Sequence, residues 1–165
     1  MGQTALGQYV DQLSQSFTVS EQYGVYITKI GVFFQSVSSV FPISLHLRSG
    51  RGVLATVTKT ASEMSSAASA TAATETTFLF DEPMFLTNGP YNFSLESNDK
   101  SEYNVWHAQL GDFKLGTTQE RVIKDLAPGM MSPTSAGSIQ RQDPDSDIKF
   151  KLYRASFSAN SGTVV

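Results

Sequence analysis

The 165 residues carry a formal charge of −3, contain no cysteine, and are 16% Asp, Glu, Lys and Arg, below the roughly 25% usual for soluble domains. These values exclude a disulfide framework and a thiolate metal site, and the scattered charges form no basic footprint for nucleic acid or an anionic membrane. The length suits one domain burying roughly 70% of its unfolded surface, and no apolar run approaches the roughly 20 residues that span a bilayer.

Residues 1–12 are polar, rich in Gly and Gln and without periodicity, and read as an N-terminal arm. They lack the charged and apolar regions of a secretory signal, and Leu6 stands where a myristoylation motif needs Ser or Thr. A short strand is predicted over 16–20. In the segment 24–34, Val25 and Ile27 share one parity while Ile30, Val32 and Phe34 share the other, so a bulge or bend is expected near Thr28 and Lys29. Ile43, Leu45 and Leu47 alternate with Ser44, His46 and Arg48 before the turn Ser49, Gly50, Arg51, Gly52, and 53–60 returns as the partner strand of a hairpin. The Ser, Ala and Thr stretch 62–74 offers no apolar stripe wide enough to dock a helix and reads as a long surface connection.

From Thr76 to Gly111 the pattern predicts three strands and two turns. Phe78 and Phe80 oppose Leu79 and Asp81; Tyr91, Phe93 and Leu95 alternate with Asn92, Ser94 and Glu96; Trp106, Ala108 and Leu110 alternate with Val105, His107 and Gln109. Pro83, then Asn88, Gly89 and Pro90, break the runs, and residues 98–101 supply the next turn. Thr117 and Glu120 have capping-box spacing, so a short helix is expected before Pro128 and Gly129. Residues 131–147 read as a Pro, Ser, Gln and Asp-rich loop, and 148–154 as the last strand with Ile148, Phe150 and Leu152 inward. Residues 158–165 read as a C-terminal tail.

The whole predicts a central domain over 13–157: an all-β, antiparallel β-sandwich, jelly-roll-like, with long connecting loops. Its core is expected to hold Ile43, Leu45, Leu47, Phe78, Phe80, Phe93, Leu95, Trp106, Phe150 and Leu152.

No motif assembles catalytic chemistry. Residues 50–55 match a dinucleotide fingerprint, but a strand follows where that fingerprint must open a helix. Gly111 and Gly116 have P-loop spacing, with Thr117 in place of the lysine. Asp143, Asp145 and Asp147 open a calcium loop that fails at Ile148 and Arg154, leaving an acidic turn before a strand. His46 and His107 sit at polar-face positions with no third metal ligand, and Asn92 begins a glycosylation sequon in mid-strand. Trp106 with the tyrosines offers a sugar-stacking platform, against which its apolar parity argues for the core. Met130 and Met131, an apolar pair in a polar loop, are candidate interface residues or an end plug for the sandwich. Val164 and Val165 are candidates for adding a strand to a neighbour's sheet edge.

Four segments in order carry a family resemblance: 11–19 (DQLSQSFTV); Thr77 to Phe80 with Pro83, Phe85 and Leu86; Tyr103 to Ala108 with Leu110 and Gly111; and 147–157 (DIKFKLYRASF). Together the chain resembles a repeated structural module of baseplate and tail-fibre proteins of contractile-tailed bacteriophages, notably T4-like cyanophages. Gln12 replaces the family's proline; Gly129, Met130, Met131 and Ser132 stand where it has Gly-Ser-Leu-Phe, and no tryptophan lies between Met131 and Asp147, where the family has a tryptophan-containing loop. The resemblance implies a non-enzymatic virion protein without cofactors, made in the host cytoplasm as a single small module. It would contact other tail or baseplate subunits in several symmetric copies, with no nucleic-acid or membrane partner. A glycan-binding receptor module and a capsid decoration protein are the alternative expectations.

Overall fold

The computed structural model describes residues 12–98, 102–109, 131–135, 138–139 and 146–157. In chain order its strands are β1 (Gln12–Val19), β2 (Val25–Ser36), β3 (Ile43–Ser49), β4 (Gly52–Lys59), β5 (Glu75–Leu86), β6 (Gly89–Ser97), β7 (Asn104–Val105), β8 (His107–Gln109), β9 (Met131–Ser135), β10 (Ser138–Ile139), β11 (Ser146–Ile148) and β12 (Phe150–Arg154). One sheet runs β10-β9-β1-β6-β3-β4. A second runs β12-β2-β5, with β7 also on β2, and β8 pairs with β11. Every paired neighbour is antiparallel. The two larger sheets pack together as an all-β sandwich. The pairs β1 with β6, β2 with β5 and β3 with β4 are nested like a long hairpin rolled up on itself, which is the jelly-roll arrangement.

Period two explains the core. Leu13, Phe17 and Val19 of β1, Ile43, Leu45 and Leu47 of β3, and Tyr91, Phe93 and Leu95 of β6 turn inward from the first sheet. They meet Ile27, Ile30, Val32 and Phe34 of β2 and Phe78, Phe80 and Leu86 of β5. The Phe93 and Phe150 rings, 5.2 Å apart, join the two layers. The 43–60 hairpin forms as expected, with Gly50 at φ 58 supplying its turn, so the dinucleotide pattern there is a hairpin. The parity switch in β2 is a register shift at Thr28: Ile27 faces Met84 while Lys29 faces Leu79. Residues 80–83 bow out of β5 opposite it, so Pro83 interrupts the ladder without ending the strand.

Several expectations are corrected. Residues 131–147 are not one loop, because β9, β10 and the start of β11 lie within them, and β9 pairs Leu13, Ser14 and Gln15 of β1. Strand propensity is a weak constraint where a neighbouring edge supplies hydrogen bonds. The first strand begins at Gln12, four residues earlier than its polar sequence suggested. Leu152 shares the inward parity of Ile30 yet is 36% exposed, because β12 is the edge strand of its sheet, with β2 on one side alone. Phe150 is only partly buried. His107 does not lie on a polar face: Val105, Trp106 and His107 are all buried. The chain there leaves β2 for β11, with Trp106 donating its N–H to Phe33 and accepting from Lys149, so both faces are covered. The stretch 62–74 is a connection with two 3-10 turns, Ala61–Glu63 and Ala70–Ala72. The expected helix beyond Thr117 lies outside the described residues.

Candidate interaction surface

The outward positions of β2, β5 and β12 converge on one sheet face. Cross-strand pairing places Tyr26 beside Phe85, Lys29 between Leu79 and Tyr153, Gly31 between Thr77 and Lys151, and Phe33 beside Glu75. Two zones result.

The first zone is ionic. Glu75 folds flat across the central strand, and a Cβ placed on Gly31 would lie 1.9 Å from its Oε1. Glycine therefore belongs there because another group occupies the space over the backbone. Tyr153 donates its O–H to Glu75 Oε2 at 2.8 Å, and Lys151 Nζ lies 3.4 Å from the same oxygen. The hydrogen bond to Glu75 holds the Tyr153 phenol above its ordinary range, with burial and the carboxylate charge adding to the effect and Lys151 opposing it. Lys29 Nζ sits 4.4 Å over the Tyr153 ring. Lys149 and Lys151 flank the Phe33 ring at 4.6 and 5.4 Å, which buries Phe33 although it faces outward.

The second zone is apolar and open. The Tyr26 and Phe85 ring centroids are 4.9 Å apart, and Phe157 meets Tyr26 edge-on at 5.7 Å. Tyr26, Phe85 and Phe157 are 40, 49 and 73% exposed, with Leu79 62% exposed on the same face. Gly24, at φ 78, lets the Phe85 ring fold down, since a Cβ there would lie 2.7 Å from it. Ala155 donates its N–H to the Tyr26 carbonyl at 2.8 Å, which carries the chain on to Phe157. Exposed aromatic clusters rimmed by polar groups are characteristic of interaction sites. In the ionic zone beside it the Glu75 carboxylate is held by Tyr153 and Lys151.

Of the candidate interface residues, Met130, Val164 and Val165 lie outside the described residues. Met131 opens β9 opposite Gln15 instead of standing in a loop. Trp106 offers no sugar platform: it is 5% exposed, and its indole N–H donates to the Ala67 carbonyl, tying down the 62–74 connection. His46 is hydrogen-bonded to Thr56 at 2.8 Å and lies 3.4 Å from Glu96. Asn92, in mid-β6, is paired on both sides. Asp147 accepts a hydrogen bond from Gln15. No group of three His, Cys, Asp or Glu placed to hold a metal occurs among the described residues. Sequence reasoning missed Tyr26, Phe85 and Phe157 as a cluster. The parity that put Val25 and Ile27 inside already put Tyr26 outside, but only the β2 to β5 register brings Phe85 beside it.

No family model, curated protein or solved structure matches the chain.

Proposed function

We propose that the protein is a non-enzymatic structural component of a bacteriophage virion, in the baseplate or fibre-attachment region of the tail, working through protein–protein contact. The family resemblance over residues 11–157 supplies the setting. The observation that carries the contact role is the exposed aromatic cluster of Tyr26, Phe85 and Phe157, on the same sheet face as the ionic zone of Glu75, Tyr153, Lys29 and Lys151. Aromatic anchors with a polar rim are the composition that dominates binding energy at protein interfaces. Phenylalanine predominates over tyrosine at the cluster and the lone tryptophan is buried, which favours a protein partner over a stacked sugar.

The test is to locate the chain in purified particles by mass spectrometry and electron-microscopic density. Density in the baseplate or at a fibre attachment supports the reading. Density on the head shell replaces it with a capsid decoration role, and absence from particles ends it.

A further inference from the structure

Among the described residues, the ends of the two larger sheets are β10, β4, β12 and β5. An exposed edge strand invites pairing with another chain, and proteins guard edges with charge, proline, bulges or shortness. β5 bows outward at Asp81, Glu82 and Pro83, β12 carries Lys151 and Arg154, and β10 has two residues. β4 differs. Its bulge at Leu54, where Leu47 faces Ala55 but Arg48 faces Val53, lies at the turn end. Beyond it Ala55, Thr56, Val57 and Thr58 form a regular stretch without charge or proline. Lys59 ends that stretch, and its ammonium is drawn 3.9 Å from Glu63 in the following 3-10 turn.

We propose that this edge is a self-association site, where β4 of one copy pairs antiparallel with β4 of a second about a two-fold axis through Val57. The sequence is self-complementary in that register. Val57 meets its own copy, Thr56 meets Thr58, and Ala55 meets Lys59, all with faces matched because the residue numbers of each pair differ by an even step. β-branched pairs and Thr–Thr pairs are favourable across strands. The two Lys59 residues fall about 13 Å apart at the strand rise of roughly 3.3 Å per residue, beyond the Debye length of about 8 Å at physiological salt. Ala55 and Val57 pack against the chain's own core, which β5 also borders, and are only partly buried there, so the pairing adds cover to what that packing leaves exposed. A ladder this short forms a concentration-dependent dimer suited to copies already held close together in an assembly. The proposal rests on the assembly reading only in invoking contact between chains.

The experiment uses the full-length chain, whose lack of cysteine makes an introduced one unique. Opposed residues in an antiparallel pair have Cα atoms about 4.5–5.5 Å apart, within disulfide range. Val57→Cys is expected to oxidise to a covalent dimer, and Lys59→Cys, placed about 13 Å from its copy by the strand rise, is expected to stay uncrosslinked. In sedimentation equilibrium the wild-type chain is expected to dimerise. Thr56→Lys with Thr58→Lys, which sets two pairs of like charges opposite each other, is expected to weaken the dimer about tenfold. A wild-type chain that stays monomeric at its solubility limit, or equal cross-linking of the two cysteine variants, overturns the proposal. A monomer still found in the tail leaves the proposed function standing, whereas a dimer absent from particles defeats that function alone.

Discussion

Gln15 and Asp147, 132 positions apart in the chain, are joined inside the sandwich: the Gln15 amide donates to Asp147 Oδ1 at 2.7 Å. The same side chain accepts the Ile148 N–H at 2.8 Å and donates to the Ser16 carbonyl at 3.1 Å. Gln15 has the inward parity of Leu13 and Phe17 and is fully buried. A polar group in that position is tolerable only because its hydrogen-bonding capacity is used, and it ties β1 of one sheet to β11 at the border of the other.

Gln15→Met keeps the volume and removes the bonds. The buried Ile148 N–H then loses its acceptor, and a loss of about 2–3 kcal/mol in unfolding free energy is expected. Urea denaturation checks this, and a change below about 0.5 kcal/mol, the usual range for surface substitutions, contradicts it.

Leu45 and Leu152 have equivalent inward parity but different burial, 0 and 36% exposed. Leu45→Ala is expected to cost about 2–5 kcal/mol through lost burial and the cavity left behind. Leu152→Ala, already at the rim, is expected to cost less than about 1 kcal/mol. Equal losses in denaturant titrations of the two variants contradict the placement of Leu152 at the rim of the core.

Gly31→Ala drives a methyl group into the Glu75 carboxylate, which moves at small cost because it is the end of a flexible side chain. Tyr153 then loses its acceptor, and its phenol is expected to titrate at lower pH than in the parent protein. The sign for stability follows. A phenol raised above its unfolded value near 10 contributes fully below that pH, and the contribution disappears as pH rises through the higher folded value. NMR of ring-labelled tyrosine reads the shift, and an unmoved Tyr153 titration in the variant contradicts the Glu75 bond as its cause.

Glu63 is held below its ordinary value of 4.5, first by the Thr60 N–H, then by the Thr60 hydroxyl, with Lys59 adding a smaller effect. Both Thr60 bonds to Oε2 are 2.8 Å long. A depressed carboxyl contributes above its unfolded value, and the contribution fades as pH falls through the lower folded value. Thr60→Val retains the backbone bond and is expected to reverse part of the depression in a carboxyl NMR titration. An unchanged titration would remove the hydroxyl from the account.

Under the proposed role in the tail, Phe157→Ser and Phe85→Ser are expected to weaken partner contact by more than their effect on folding. Phe157 is 73% exposed, so its replacement is expected to change unfolding free energy by no more than about 0.5 kcal/mol. Incorporation into particles, compared by quantitative mass spectrometry, is expected to fall for both variants. Normal incorporation of both would remove this face from the interface.

Period-two alternation is a local property of the backbone, so the sequence alone determined which side of each strand is apolar. Leu45, Phe78 and Phe93 were placed inward on that basis, the turn residues marked the β3 to β4 hairpin, and the parity switch located the bulge at Thr28. Parity does not say which strand lies at the edge of its sheet, which is why Leu45 and Leu152 part company. Nor does local pattern choose partners for strands far apart in the chain: β1 pairs with β6 and β9, and β9 arose in a stretch whose composition suggests a loop. Gln15 is satisfied in the core only by partners from β11, which no local pattern announces, and Trp106 and His107 are both covered because the chain changes sheets between Val105 and His107. The Tyr26, Phe85 and Phe157 cluster likewise draws on three separate segments. Each of these features depends on long-range register and on where one layer ends over the other, and both are set only when the two sheets close around a shared core.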